Sequence, residues 1–87
     1  MEAEEMRVDK FLKVSRIIKR RTVASSACDA EHICVNGKTV KPGARVKPGD
    51  LITVSFGTKT LTVRVLHVKE HILKNDASSM YEVVAEG

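Results

Sequence analysis

A chain of 87 residues has room for one domain near the lower size limit for folding without metals or disulfides. Hydrophobic residues make up 43% of it but aromatic residues only 3%, with no Trp, so a protein that reads unpaired bases on stacking platforms is disfavoured. The net charge of +4 is lopsided: residues 1–5 contribute −3, residues 6–47 contribute +8 and residues 48–87 contribute −1, which points to a polyanionic partner for the first half.

Met1–Glu5 is acidic and is expected to be a disordered extension ahead of a single domain spanning residues 6–87. No apolar run reaches the length of a signal-peptide core or a membrane span, so the expected compartment is the cytoplasm, with Cys28 and Cys34 as reduced thiols. A first helix is predicted from Met6 to Lys19. At helical spacing Val8, Phe11, Leu12, Ser15 and Ile18 form a stripe for the core, while Lys10, Lys13, Arg16 and Arg20 fall on the opposite arc. Thr22 is placed as the N-cap of a second, short helix whose packed face is Val23, Ala24, Ala27, Cys28 and Ala30.

From Ile33 the hydrophobic period changes to two. Ile33-Cys34-Val35, the turn Asn36-Gly37 and Lys38-Thr39-Val40 predict a hairpin. Lys41-Pro42-Gly43 and Lys47-Pro48-Gly49-Asp50 are further turns. Strands are expected at Leu51–Phe56, Leu61–Val68 and Met80–Val84, with a turn at Gly57-Thr58-Lys59 and a polar connection over Lys69–Ser79. The order of elements predicts an α+β fold: two N-terminal helices packed on a small, mostly antiparallel sheet.

Between Met6 and Thr22 seven residues are Lys or Arg and the only acid is Asp9. Like charges at helical spacing repel, so a uniformly basic face lowers the stability of the free helix and makes sense if phosphates neutralise it. The Asn36-Gly37 turn adds backbone N–H groups beside Lys38 and Lys41, where a chain without a Cβ approaches phosphate closely. A membrane-surface helix would need exposed Trp or Phe, whereas Phe11 is claimed by the core. A duplex-DNA reader would need a recognition helix after the basic segment, and the second helix is small and almost uncharged. Cys28, Cys34 and His32 lack the ligand count and spacing of a zinc site, the i,i+4 spacing of His67 and His71 lapses because Leu61–Val68 reads as strand, and no nucleophile, base and orienting group occur together. No enzyme, metal or cofactor is therefore expected.

The segments RVDKFLKVSRIIKRRT and ICVNGKTVKPGARVKPGDLITV resemble the S-four RNA-binding domain, from Met6 to about Phe56. The shared features are the R-x-D-K-x-L-x-x-x-R helix, the basic turn, the V-N-G hairpin and the K-x-G-D entry to the next strand. The chain as a whole is similar to the stand-alone branch of RqcP-like (YabO-like) proteins, which is related to the heat-shock S-four ribosome-binding protein. That resemblance implies a factor of ribosome-associated quality control, bound to large-subunit ribosomal RNA and tRNA where an obstructed peptidyl-tRNA remains. It also implies action with an RqcH-like tailing factor during alanine tailing, as a monomer and without a membrane. The alternative it leaves open is a structural, assembly or heat-shock-type factor on free large subunits.

Carried over by motif, Arg7, Lys10, Lys13, Arg16, Lys19, Arg20 and Arg21 would contact RNA backbone. Thr22 would add a hydroxyl, and Asn36, Gly37, Lys38 and Lys41 would form the hairpin contact. Asp9 is expected to organise Arg7 or neighbouring bases. Replacing Arg16 or Arg21 by Glu is expected to weaken RNA binding and leave the fold intact. The family pattern has Gly and a basic residue where this chain has Glu31-His32, so strain at the end of the second helix and the loss of one cation are expected there.

Overall fold

In the computed structural model, residues 5–68 and 79–87 are described. Residues 69–78 of the predicted Lys69–Ser79 connection and most of the acidic extension, residues 1–4, lie outside them, as does His71. In chain order the elements are β1 (Met6–Arg7), α1 (Val8–Val14), α2 (Arg21–Asp29), β2 (Ile33–Val35), β3 (Lys38–Thr39), β4 (Arg45–Val46), β5 (Leu51–Phe56), β6 (Lys59–Val65) and β7 (Tyr81–Glu86). The fold is α+β, as expected. A five-stranded antiparallel sheet has the order β3-β2-β5-β6-β7, and β1 and β4 form a separate two-stranded ribbon. Among the described residues no helix is long and apolar enough to cross a membrane.

The sheet follows the period-two pattern closely. Register pairs Val35 with Ile52, Ile33 with Val54, Ile52 with Val63 and Val54 with Leu61, so these side chains share one face. On that face Ile33, Ile52, Val54, Val63 and Val65 are all buried. The other face carries Cys34, Thr53 and Thr62, and the two threonine hydroxyls lie 3.2 Å apart. Gly57, at φ +58°, opens the two-residue link between Phe56 and Lys59, the position at which a β-hairpin of this length favours glycine. Lys59 is therefore already a strand residue, and β7 begins one residue later and runs further than expected. A register shift at Thr62/Val63 interrupts the pairing of β6 with β7, an edge strand of the sheet.

The first helix is shorter than its hydrophobic period suggested. The helix ends at Val14, Ser15 is the C-cap and keeps the right-handed conformation, and Arg16 turns left-handed at φ 65°. Arg16 N–H bonds the carbonyl of Lys13 at 3.1 Å, and Ile18 N–H reaches back to that of Leu12 at 3.0 Å. This closure explains why Val8, Phe11, Leu12, Ser15 and Ile18 are all buried although Ser15 and Ile18 lie past the helix. At the other end, Met6-Arg7 form a strand because they pair with Arg45-Val46, a partner remote in sequence.

The second helix differs at both ends. Its N-cap is Arg20, without a side-chain hydrogen bond, and Thr22 lies exposed inside the first turn. Only Ala24 and Cys28 of the predicted face are fully buried, Ala27 is half-buried, and Val23 is 51% exposed. The helix ends as a Schellman closure: Glu31 N–H bonds Cys28 O at 3.0 Å and His32 N–H bonds Ala27 O at 2.9 Å. Glu31 sits at φ 65°, the conformation a glycine adopts without steric conflict, so the strain expected from Glu31-His32 is present.

Phe11, Leu12 and Val8 of α1 meet the sheet in one continuous core with Ile33, Ile52 and Met80. Burying each large apolar side chain of this kind contributes about 1.5–3 kcal/mol. Cys28 belongs to the same cluster. Burial pushes its thiol up to about 11, helped by the negative charges of Asp9 and Asp29. It is inert at neutral pH, and Cys34, partly buried on the polar face of the sheet, is likewise a free cysteine.

Candidate nucleic-acid interface

Asp9 is the centre of the basic region. It occupies the first turn of α1 and is 1% exposed, in a position that the periodicity of the helix did not assign to the core. Its Oδ1 accepts hydrogen bonds from Arg7 Nε at 3.2 Å and from the Lys10 backbone N–H at 2.7 Å. Its Oδ2 accepts from Arg7 Nη2 at 3.2 Å and from Ser25 Oγ at 3.0 Å, and Arg21 Nε lies 3.5 Å away. Burial alone would raise the pKa of this carboxyl. The Ser25 hydroxyl, the Lys10 N–H, the Arg21 charge and the Arg7 guanidinium outweigh it and hold the group below the usual carboxylate range.

One buried anion thus orders two arginines from different elements, and positive charge remains. Arg7 and Arg21 keep 47% and 45% of their side-chain surface exposed. Guanidinium groups that are positioned from behind and open in front lose little rotamer entropy when a phosphate arrives. Lys13, Arg16, Lys19 and Arg20 are exposed along the end of α1 and the link to α2, and Lys10 is half-buried. The start of α2, at Arg20, has no side-chain cap and falls within the same cationic stretch of the chain.

The segment after β3 joins this region through backbone contacts. Val8 N–H bonds the carbonyl of Ala44 at 2.7 Å and Asp9 N–H bonds that of Pro42 at 3.4 Å, which sets the exposed Lys41 turn against the start of α1. The Asn36-Gly37 turn stands elsewhere. Both residues have positive φ, 53° and 84°, as a two-residue type I′ hairpin requires. Asn36 Nδ2 donates to Asp50 Oδ1 at 3.3 Å, and Leu51 N–H donates to Asn36 Oδ1 at 3.0 Å. The Asn36 amide thus fastens its hairpin to the Lys47–Asp50 turn, and Gly37 and Lys38 remain exposed beside it.

Two participants were not legible in the sequence. Ser25 read as an ordinary polar position, and its bond to Asp9 depends on how α2 crosses α1. Arg45 lies directly opposite Arg7 in the β1–β4 ribbon. A hint lay in the alternation of Arg45, Val46 and Lys47, with Val46 fully buried and its neighbours exposed, but not the identity of the strand they face. Among the described residues no group of three or more His, Cys, Asp or Glu could hold a metal ion.

The S4 domain model matches residues 6–52, the stretch that carries α1, α2, the Asn36-Gly37 hairpin and β4. The chain is 52% identical over 81 residues to the RQC P-site tRNA stabilizing factor of Halalkalibacterium halodurans, covering 93% of this chain and 92% of that protein. It is 49% identical over 81 residues to the protein of the same name from Bacillus subtilis, covering 93% and 94%. Its structure resembles Heat Shock Protein 15 of Vibrio cholerae, a trimer, with a TM-score of 0.85 and 28% identity over 94% of this chain and 84% of that one. The shared architecture, the matched segment and the near-complete coverage agree, and the chain belongs to the S4 domain family, in the branch of the RQC P-site tRNA stabilizing factors.

Proposed function

We propose that this protein is an RNA-binding factor of ribosome-associated quality control that acts in the cytoplasm, without catalysis of its own. It binds large-subunit ribosomal RNA and the tRNA of an obstructed peptidyl-tRNA, holds that tRNA in the P site, and supports alanine tailing by an RqcH-like factor. The observation that carries the reading is the Asp9 centre. A single buried carboxylate fixes Arg7 and Arg21 with their outer edges exposed, beside a run of exposed cations that no other carboxylate of α1 or α2 is seen to neutralise. The names of relatives about half identical along nearly their whole length support the step from RNA to tRNA on a stalled ribosome.

Within this reading Lys10, Lys13, Arg16, Lys19 and Arg20 hold RNA backbone together with Arg7 and Arg21. Thr22, exposed in the first turn of α2, offers its hydroxyl beside them. The exposed Gly37, Lys38 and Lys41 make the second contact, and Asn36 shapes the turn. Direct contact with phosphates and sugars suits a protein with so few aromatic rings.

The deciding experiment is co-sedimentation with large subunits carrying peptidyl-tRNA and with vacant large subunits, using the native chain and a Lys13→Glu/Arg20→Glu variant. The native protein should prefer the tRNA-bearing subunits, and the variant should lose both interactions. Equal binding to vacant subunits would favour the second reading, the structural, assembly or heat-shock-type factor on free large subunits that the sequence resemblance leaves open.

A further inference from the structure

The β1–β4 ribbon has two faces. Met6 and Val46, opposite one another, are buried at 4% and 0%, and the next pair, Arg7 and Arg45, points the other way and is exposed. The bond from Val8 N–H to Ala44 O marks the following pair as the hydrogen-bonded one. Arg7 and Arg45 therefore occupy a non-hydrogen-bonded site, where side chains on neighbouring strands approach most closely. Like charges placed directly opposite one another destabilise a ribbon. Asp9 offsets part of this for Arg7, whereas Arg45 has no ion pair or hydrogen bond through its side chain among the described residues.

We propose that Arg7 and Arg45 form a clamp for a single RNA phosphate on the outer face of this ribbon. The proposal rests on the RNA-binding reading above and adds a subsite to it. Arg7 uses its Nε and one Nη2 donor on Asp9, which leaves about three of the five guanidinium N–H groups to face outward. Asp9 fixes that guanidinium from behind, and Arg45 supplies a second fork from the partner strand. A phosphate between them accepts from both and removes the repulsion that the free ribbon carries. Lys47, exposed just after β4 with its backbone N–H bonded to Asp50 Oδ2, adds a further positive charge close to Arg45 in the chain. The clamp thus adjoins the start of α1 and the Lys41 turn, which the bonds from Val8 to Ala44 and from Asp9 to Pro42 hold together.

The test is a double-mutant cycle of Arg7→Gln and Arg45→Gln, with purified bacterial large ribosomal subunits as the probe and affinity measured across a KCl series. Glutamine at position 7 keeps a donor for Asp9. Arg45→Gln should bind about five- to tenfold more weakly. The double variant should lose a salt slope of about 0.7–0.9, that of one phosphate, and less affinity than the product of the two single losses. Free Arg45→Gln protein should melt at a higher temperature than the native chain, because the repulsion is gone. Unchanged affinity in Arg45→Gln, with Lys13→Glu weakened, would overturn the clamp and leave the RNA reading standing. Unchanged affinity in both would overturn the reading as well. Strictly multiplicative losses with a slope change for two phosphates would replace the clamp by two separate contacts. A lower melting temperature for Arg45→Gln would make Arg45 a structural residue, and the clamp would again be overturned.

Discussion

Ser25 Oγ donates a hydrogen bond to Asp9 Oδ2 at 3.0 Å, and through it the second helix is tied to the start of the first. The same oxygen receives Arg7 and faces Arg21, so a contact between two small polar side chains fixes where two guanidinium groups point. Packing of the helices and orientation of the two arginines are thereby one event.

Asp9→Asn should cost about 1–3 kcal/mol at neutral pH, below the figure for a fully buried ion pair because both arginines are half-exposed. The pH dependence follows from the depressed pKa of Asp9 in the fold. Stability from the charged carboxylate is fully present above the unfolded-state value, about 3.9, and is lost as pH falls through the lower folded-state value. Urea titrations of the native chain and the Asp9→Asn variant should therefore converge in strong acid. A gap of the same size at neutral and acidic pH would contradict this account of the site.

Glu31→Gly should raise stability by about 0.5–1 kcal/mol, since it relieves a left-handed residue at the end of α2 and gives back part of that gain as unfolded-chain entropy. A melting temperature about 2–8 °C higher is the expected reading for a chain of this size. Arg16 at φ 65° invites the same substitution, with a different consequence. Arg16→Gly should also melt higher while binding RNA more weakly, so that backbone strain is separated from charge.

Arg21 and Lys13 should part company on charge reversal. The sequence alone predicts that Arg21→Glu leaves the fold intact, but Arg21 Nε lies 3.5 Å from Asp9 Oδ2. A glutamate there sets two carboxylates against each other and should lower stability by about 1–3 kcal/mol. Lys13 is exposed in the last turn of α1, and Lys13→Glu should stay within about 1 kcal/mol of the native chain. Both should weaken RNA binding, and denaturant melts beside binding curves would show the contrast.

Asn36→Ala removes the acceptor for Leu51 N–H and the bond to Asp50, and it places a residue unsuited to positive φ in the turn. A loss of about 1–3 kcal/mol is expected. Lys38→Ala, on the exposed side of the same hairpin, should change stability by no more than about 0.5 kcal/mol and should weaken RNA binding. Equal stability losses in the two variants would show that the hairpin is not anchored through Asn36.

The sheet is largely legible in the sequence, because strand periodicity and turn chemistry are local. Alternating apolar residues assign Ile52, Val54, Val63 and Val65 to one face, and Asn36-Gly37 and Gly57 mark reversals that only a few backbone conformations allow. The buried stripe of the first helix is also right residue by residue, although the helical span it suggests is too long. Periodicity reports which side chains face the core, and Ser15 and Ile18 reach it from a closing turn as well as they would from another turn of helix.

By itself the sequence determined the fold class, the concentration of cations in the first half and the scarcity of aromatic residues, since each depends on residue type and short-range spacing. Only the tertiary structure decided that Asp9 is buried and serves Arg7, Arg21 and Ser25, and that Arg45 stands opposite Arg7. The reason is physical. Desolvation of a carboxylate and repulsion between two guanidinium groups depend on which distant segments meet, and neither helix nor strand periodicity contains that distance.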